Sequence, residues 1–166
     1  MGGGIQLHGH GTRERQVRGP CEVGAPAALV EVLARRYRCV PCGAVLIVVP
    51  SEVRGRQVYT ASAIGLALAL WGLLGATAAQ VRRQVCPATV FGAAGVTGWA
   101  TLRRWARGIA RRLLFPSMTS VPPPGLSASL RGVAARAATV LAANAAPTTR
   151  ALPIEHRAFL GAAHVA

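Results

Sequence analysis

The sequence contains no lysine and no aspartate, and only five glutamates in 166 residues (Glu14, Glu22, Glu31, Glu52 and Glu155). Each absence excludes a chemistry. Without a Lys, the Gly-rich phosphate loop of nucleotide hydrolases cannot be completed, because that loop sets a Lys on the phosphates. Without Asp, and with Glu so scattered, there is no acidic cluster to hold the cations of two-metal phosphoryl transfer. No catalytic residue set is therefore expected. The opening "MGGGIQLHGHGTRER" has no apolar core of the length a secretory signal needs. The four cysteines are accordingly not expected to form the disulfides of a secreted protein, and a cytoplasmic location is expected.

What is present in excess is arginine. All 19 basic residues are Arg, the net charge is +14, and no acid occurs from Val53 to Ile154. The abundance of Ala, Gly, Arg and Pro is that of a GC-rich coding sequence, but such a bias does not by itself remove Glu. A surplus this large calls for an anionic partner. Arg's bidentate fit to phosphate and guanine points to nucleic acid.

The competing reading is the membrane. Mean hydropathy is +0.38, and no charge occurs from Gln57 to Val81. "YTASAIGLALALWGLLGATAA" is long enough for one bilayer-spanning helix near 59–79. A second uncharged run, Gln84 to Leu102, would complete a hairpin with Arg82 and Arg83 in its turn. Ala and Gly carry much of the first run, and Pro87 interrupts the second. A membrane-associated protein is therefore the alternative, alongside a truncated, non-functional frame.

Composition and spacing divide the chain into four zones, giving a mainly α protein with a short N-terminal β-ribbon (α+β). In residues 1–56, "ALVEVLARRYRC" (Ala28 to Cys39) and "AVLIVV" (Ala44 to Val49) read as strands around a Cys-Val-Pro-Cys-Gly turn. Leu29, Glu31, Leu33, Arg35 and Tyr37 share one face, and Val30, Val32, Ala34, Arg36 and Arg38 the other. Residues 57–114 read as helices. Thr60 or Ser62 caps a first helix ending before Gly75, and Thr77 caps "AAQVRRQV", which Cys86-Pro87 ends. Thr97 caps a third helix through Leu114, with Trp99, Leu102, Ala106, Ile109 and Leu113 as its buried stripe. Arg103, Arg104, Arg107 and Arg111 occupy another face of that helix. Residues 115–125, "FPSMTSVPPPG", read as a linker. In 126–166 an Ala-rich helix capped by Ser127 is expected, with Leu126, Leu130, Val133, Ala137 and Val140 at helical spacing, then a weakly structured tail.

Cys39 and Cys42 carry the second chemical signal. A Cys-x-x-Cys turn followed by Gly43 places two sulfurs where both can bind one metal. Free thiols and a redox pair are the other readings, although a redox pair wants a helix after it. A closed zinc site needs two further ligands. Cys21, His8 and His10 are the additional ligands within reach of this reading, His8 and His10 alternating on one side of an extended segment. Cys86 reads as a small apolar residue.

Taken together, "HGHGTRERQVRG…VEVLARRYRCVPCGAVLIVVPSEV", "YTASAIGLALALWGL" and "GWATLRRWARG" resemble small bacterial transposase-associated proteins that join an N-terminal zinc ribbon to a helix-turn-helix region. The resemblance covers roughly residues 5 to 114. It implies zinc as cofactor, with Cys39 and Cys42 as the second knuckle of the ribbon. The first knuckle of such proteins is absent here, and Met1-Gly2-Gly3-Gly4 stands where its tail would be, so either the frame starts upstream or the site has been lost. "AAGVTGWATLRRWARG" resembles a helix-turn-helix turn and recognition helix, with one extra residue between Thr97 and Thr101. The expected function is a non-catalytic DNA-binding accessory or recognition module of a mobile genetic element, contacting DNA through Arg103, Arg104, Arg107 and Arg111.

Overall fold

A computed structural model of the chain describes residues 5–53, 57–88, 98–118 and 129–165. It joins an antiparallel three-stranded sheet to a helical module. The strands are β1 (Leu7–Gly19), β2 (Ala28–Cys39) and β3 (Val45–Val48), in the order β1-β2-β3. The described helices are α1 (Ala61–Gly72), α2 (Ala78–Val85), α3 (Ala100–Ala110), α4 (Leu130–Ala143) and α5 (Ile154–Val165), with a 3₁₀ turn at Pro147–Thr149. The α+β expectation holds at this level.

Strand β2 follows the alternation read from its sequence. Leu29, Glu31, Leu33 and Arg35 are exposed, while Val30, Val32 and Ala34 turn inward and Ala34 is buried. Cross-strand pairing places Arg13 with Ala34, Arg15 with Val32 and Val17 with Val30 on that second face. Its base, Val17 and Ala34, is closed off from solvent. Towards its other end the sheet is thin, and Leu33, Val45, Leu46, Ile47 and Val48 stay exposed.

The sheet is tied to the helical module through Arg18. Its N–H donates to the Val58 carbonyl at 2.7 Å and its carbonyl accepts from Thr60 N–H at 3.1 Å, an isolated parallel bridge to Tyr59. Gly19 follows at φ +135°, a conformation few side chains adopt, and a Cβ there would collide with that of Ala63. Thr60 then caps α1, its hydroxyl accepting from Ala63 N–H at 3.1 Å.

Helix α1 is the central element. Every residue from Ala61 to Leu70 is buried, the pattern of a helix apolar on all sides and enclosed by neighbours. The uncharged run around it is not one spanning helix. Twelve residues give α1 about 18 Å of length at 1.5 Å per residue, short of the roughly 30 Å of a bilayer core. Gly75, at φ +72°, reverses the chain before Thr77 starts α2. Among the described residues no helix is long and apolar enough to cross a membrane, and 59–79 is divided between α1 and the start of α2 rather than forming the single helix expected. What the run does instead is line contacts with small residues. A Cβ on Gly65 would collide with the Ala158 carbonyl and the Ala162 side chain of α5, and one on Gly72 with the Ala135 backbone of α4.

Two further expectations are corrected. The C-terminal segment is not weakly structured: residues Ile154–Val165 form α5, whose Ala158, Phe159, Gly161 and Ala162 are buried against α1 and α4. The start of the Pro-rich segment is not a free linker either, since Phe115 and Met118 are both buried in the core; residues 119–125 lie outside the described residues. Ser129 caps α4, accepting from Gly132 N–H at 3.1 Å; Ser127, the expected cap, lies outside the described residues.

Candidate nucleic-acid interface

Helix α3 begins at Ala100, with Trp99 at its N-cap; Thr97 lies outside the described residues. It ends at Ala110 rather than at Leu114. Arg112 adopts φ +54°, and the Leu113 and Leu114 N–H groups both donate back to the Gly108 carbonyl. This is a left-handed helix stop of the kind glycine usually provides. The stop shifts the phase of the residues after it. Leu113, expected in the buried stripe, is 75 % exposed, and Leu114 and Phe115 turn into the core instead. The stripe that anchors α3 is Leu102, Trp105, Ala106 and Ile109.

Trp105 is the anchor the spacing argument missed. Its ring meets Tyr59 at 5.2 Å and Trp99 at 5.2 Å, and Tyr59 meets Trp99 at 5.7 Å, all edge-to-face. Three rings in mutual edge-to-face contact fix the rotation of α3 about its axis, each pair adding roughly 0.5–1.5 kcal/mol beyond the area it buries. Burial, aided by a hydrogen bond with the Cys86 thiol, pushes the Tyr59 phenol up to about 12. Cys86 thus joins this cluster, where the sequence suggested only a small apolar filler.

With that rotation fixed, Arg103, Arg104, Arg107 and Arg111 are all exposed. At 3.6 residues per turn they fall within roughly 100° of the helix circumference, centred opposite the Trp105–Ile109 side. They cover about 12 Å of helix length. Arg104, Arg107 and Arg111 also line a surface hollow of about 450 Å³ with Gln57, Ala100 and Leu113. The Gln57 carbonyl accepts from the Arg15 guanidinium of β1 at 2.8 Å. The four predicted contact residues are therefore brought together, with a fifth arginine at the rim.

The metal expectation fares differently. Cys39 and Cys42 form a knuckle of the right shape: Gly43, at φ +72°, donates to the Cys39 carbonyl at 2.9 Å, and Cys39 N–H donates to the Ala44 carbonyl at 2.8 Å. The Cys42 thiol is held below its ordinary pKa by the Ala44 backbone and then by the Cys39 thiol. The proposed additional ligands do not join them. Leu7 pairs with Cys39, so His8, paired with Arg38, points to the opposite face. His10 does not alternate with His8, because a bulge lies between Gly9 and Thr12 with Gly11 at φ +82°. Cys21 sits beyond the far end of β1, some twelve residues or roughly 40 Å away at 3.3 Å per residue. Among the described residues no group of three or more metal-ligating side chains exists. Two thiols fit half of a tetrahedral zinc site and no more.

Comparison with family models, with curated proteins and with solved structures finds no match for this chain.

Proposed function

We propose that the protein is a non-catalytic DNA-binding module, of the accessory or recognition type carried by the mobile elements that its sequence resembles. Helix α3 is its principal contact element, in a helix-turn-helix-like arrangement. One observation carries this reading: four arginines share the exposed side of a short helix whose opposite side is locked by Trp105, in a stretch of sequence with no acid for a hundred residues. A face kept only for solubility usually mixes signs, because mixed signs relieve self-repulsion. Arginines so arranged suit phosphate oxygens, which position a protein on a duplex without reading its sequence.

Salt dependence tests the reading. Four phosphate contacts give a slope of log affinity against log salt of roughly −3.6, at about −0.9 per contact. Replacing Arg103 and Arg107 with Ala flattens it by roughly 1.8. Both side chains are exposed, so thermal melting stays as in the parent. Equal affinity and slope for parent and variant at two salt concentrations would refute the assignment.

A further inference from the structure

The sheet carries a second set of arginines, and the pairing register sorts them by face. One face holds Glu14, Glu31, Leu29, Leu33, Arg35 and Tyr37, each glutamate opposite a neutral residue. The other face holds Arg13, Arg15, Arg36 and Arg38 and no acid from either long strand. The sorting follows from the strand period of two, anchored by Val17 and Ala34, which are buried at the base of the second face. The bulge extends it. In an unbroken strand Leu7 would share a side with Arg13 and Arg15. One extra residue at His10–Gly11, opposite Arg36, puts His8 there instead, across from Arg38.

This face is continuous with the arginine side of α3. Arg15 reaches from it to the Gln57 carbonyl, and Gln57 lines the hollow shared by Arg104, Arg107 and Arg111. Arg13 and Arg38 are exposed and Arg36 is half-buried. From Val32, the partner of Arg15, to Arg38 the face runs six residues, roughly 20 Å at 3.3 Å per residue. With the helix, it is of the order of one turn of a duplex, about 34–36 Å.

We infer that the arginine face of the β1–β2 ribbon is a second DNA-backbone contact, gripping the same duplex as α3 through Arg13, Arg36 and Arg38. The inference rests on the α3 reading and adds a partner surface to it. The opposite face of the ribbon provides a built-in control. Arg35 is exposed like Arg13 and carries the same charge, but it lies on the side with the glutamates.

The experiment is a salt titration of duplex binding with the full chain. If seven arginines contact phosphates, the parent slope is roughly −6.3, and the Arg13→Ala, Arg36→Ala, Arg38→Ala triple variant returns it to roughly −3.6. R13A alone flattens the slope by roughly 0.9, whereas R35A leaves it unchanged. Circular dichroism melts confirm that each variant folds as the parent does. If the triple variant keeps the parent slope while R103A/R107A flattens it, the ribbon contact is overturned and the α3 reading stands. If R35A flattens the slope as much as R13A does, net charge alone acts and the face assignment falls. If the triple variant flattens the slope and R103A/R107A does not, the ribbon binds DNA by itself, and both the α3 reading and the shared grip inferred here fall. A parent chain that binds no duplex overturns both.

Discussion

Gly161 of α5 lies directly beneath the Leu141 carbonyl of α4, so close that a Cβ at position 161 would overlap it and would also meet the Ala145 backbone. In an exposed helix, Ala in place of Gly gains about 1 kcal/mol. Here overpacking opposes that gain and costs typically 1–3 kcal/mol. Because the obstacle is backbone rather than a movable side chain, the cost wins. Gly161→Ala is expected to lower the denaturation midpoint in urea; a raised midpoint would show that α4 and α5 separate easily.

The Tyr59 cluster gives the protein an alkaline limit. The phenol's folded pKa is about 12 against an ordinary 10, chiefly because burial disfavours the phenolate. A raised folded pKa means a contribution present in full below pH 10 and lost as pH climbs from about 10 to about 12, where the unfolded chain releases the proton first. Urea midpoints should therefore fall between pH 9.5 and 11.5 more steeply for the parent than for Tyr59→Phe. Parallel profiles would remove Tyr59 as the cause.

Thr77 and Gln80 form a reciprocal cap on α2: Gln80 N–H donates to the Thr77 hydroxyl at 3.2 Å, and Thr77 N–H donates to the Gln80 side-chain carbonyl at 2.7 Å. Thr77→Ala is expected to cost about 1 kcal/mol of stability. The DNA-binding slope should be unaltered, since α2 is not part of the proposed contact. A change in that slope at constant fold would place α2 on the duplex.

Among the described residues strand β3 pairs only with β2, and all four of its residues, Val45–Val48, are exposed. An apolar free edge is a template for pairing with other chains. Leu46→Lys, on the Tyr37 side of the sheet, is expected to raise the concentration at which the protein begins to aggregate without changing the melt. No gain in that threshold would show that the edge is not where association starts.

Zinc is tested by its removal. Backbone hydrogen bonds at Cys39, Gly43 and Ala44 hold the knuckle's turn, and among the described residues no third metal-ligating side chain joins Cys39 and Cys42. EDTA is expected to leave the thermal melt unchanged. A melt lowered by EDTA and restored by zinc would show that further ligands complete the site.

Much of the fold is legible from local chemistry. Thr60 and Thr77 announce their helices because a side-chain oxygen before an apolar run satisfies N–H groups that nothing else can. The β2 alternation and the arginine side of α3 are legible because period alone sets them. The features that escape a sequence reading depend on contacts distant along the chain. Helix α5 gives little periodic signal because its buried positions include Ala158, Gly161 and Ala162, residues that matter by being small. The Leu113 error comes from extending one period past Arg112, whose left-handed backbone ends the helix. His8 and His10 share a side in a plain alternating pattern, and a bulge is invisible to that pattern.

The central position of α1 has a consequence for synthesis. Its partners α4 and α5 lie far along the chain, and α5 begins 82 residues after α1 ends. At 5–20 residues per second, α5 follows α1 from the ribosome after roughly 4–16 s. Throughout that interval a helix apolar on every side has no complete cover, a long wait against the microseconds in which helices form and chains collapse. The nascent protein is thus most vulnerable to aggregation after its β-ribbon is complete and before α5 emerges. Translation stalled near the 3₁₀ turn at Pro147 would leave α1 open, making it a natural client for chaperones that hold apolar segments.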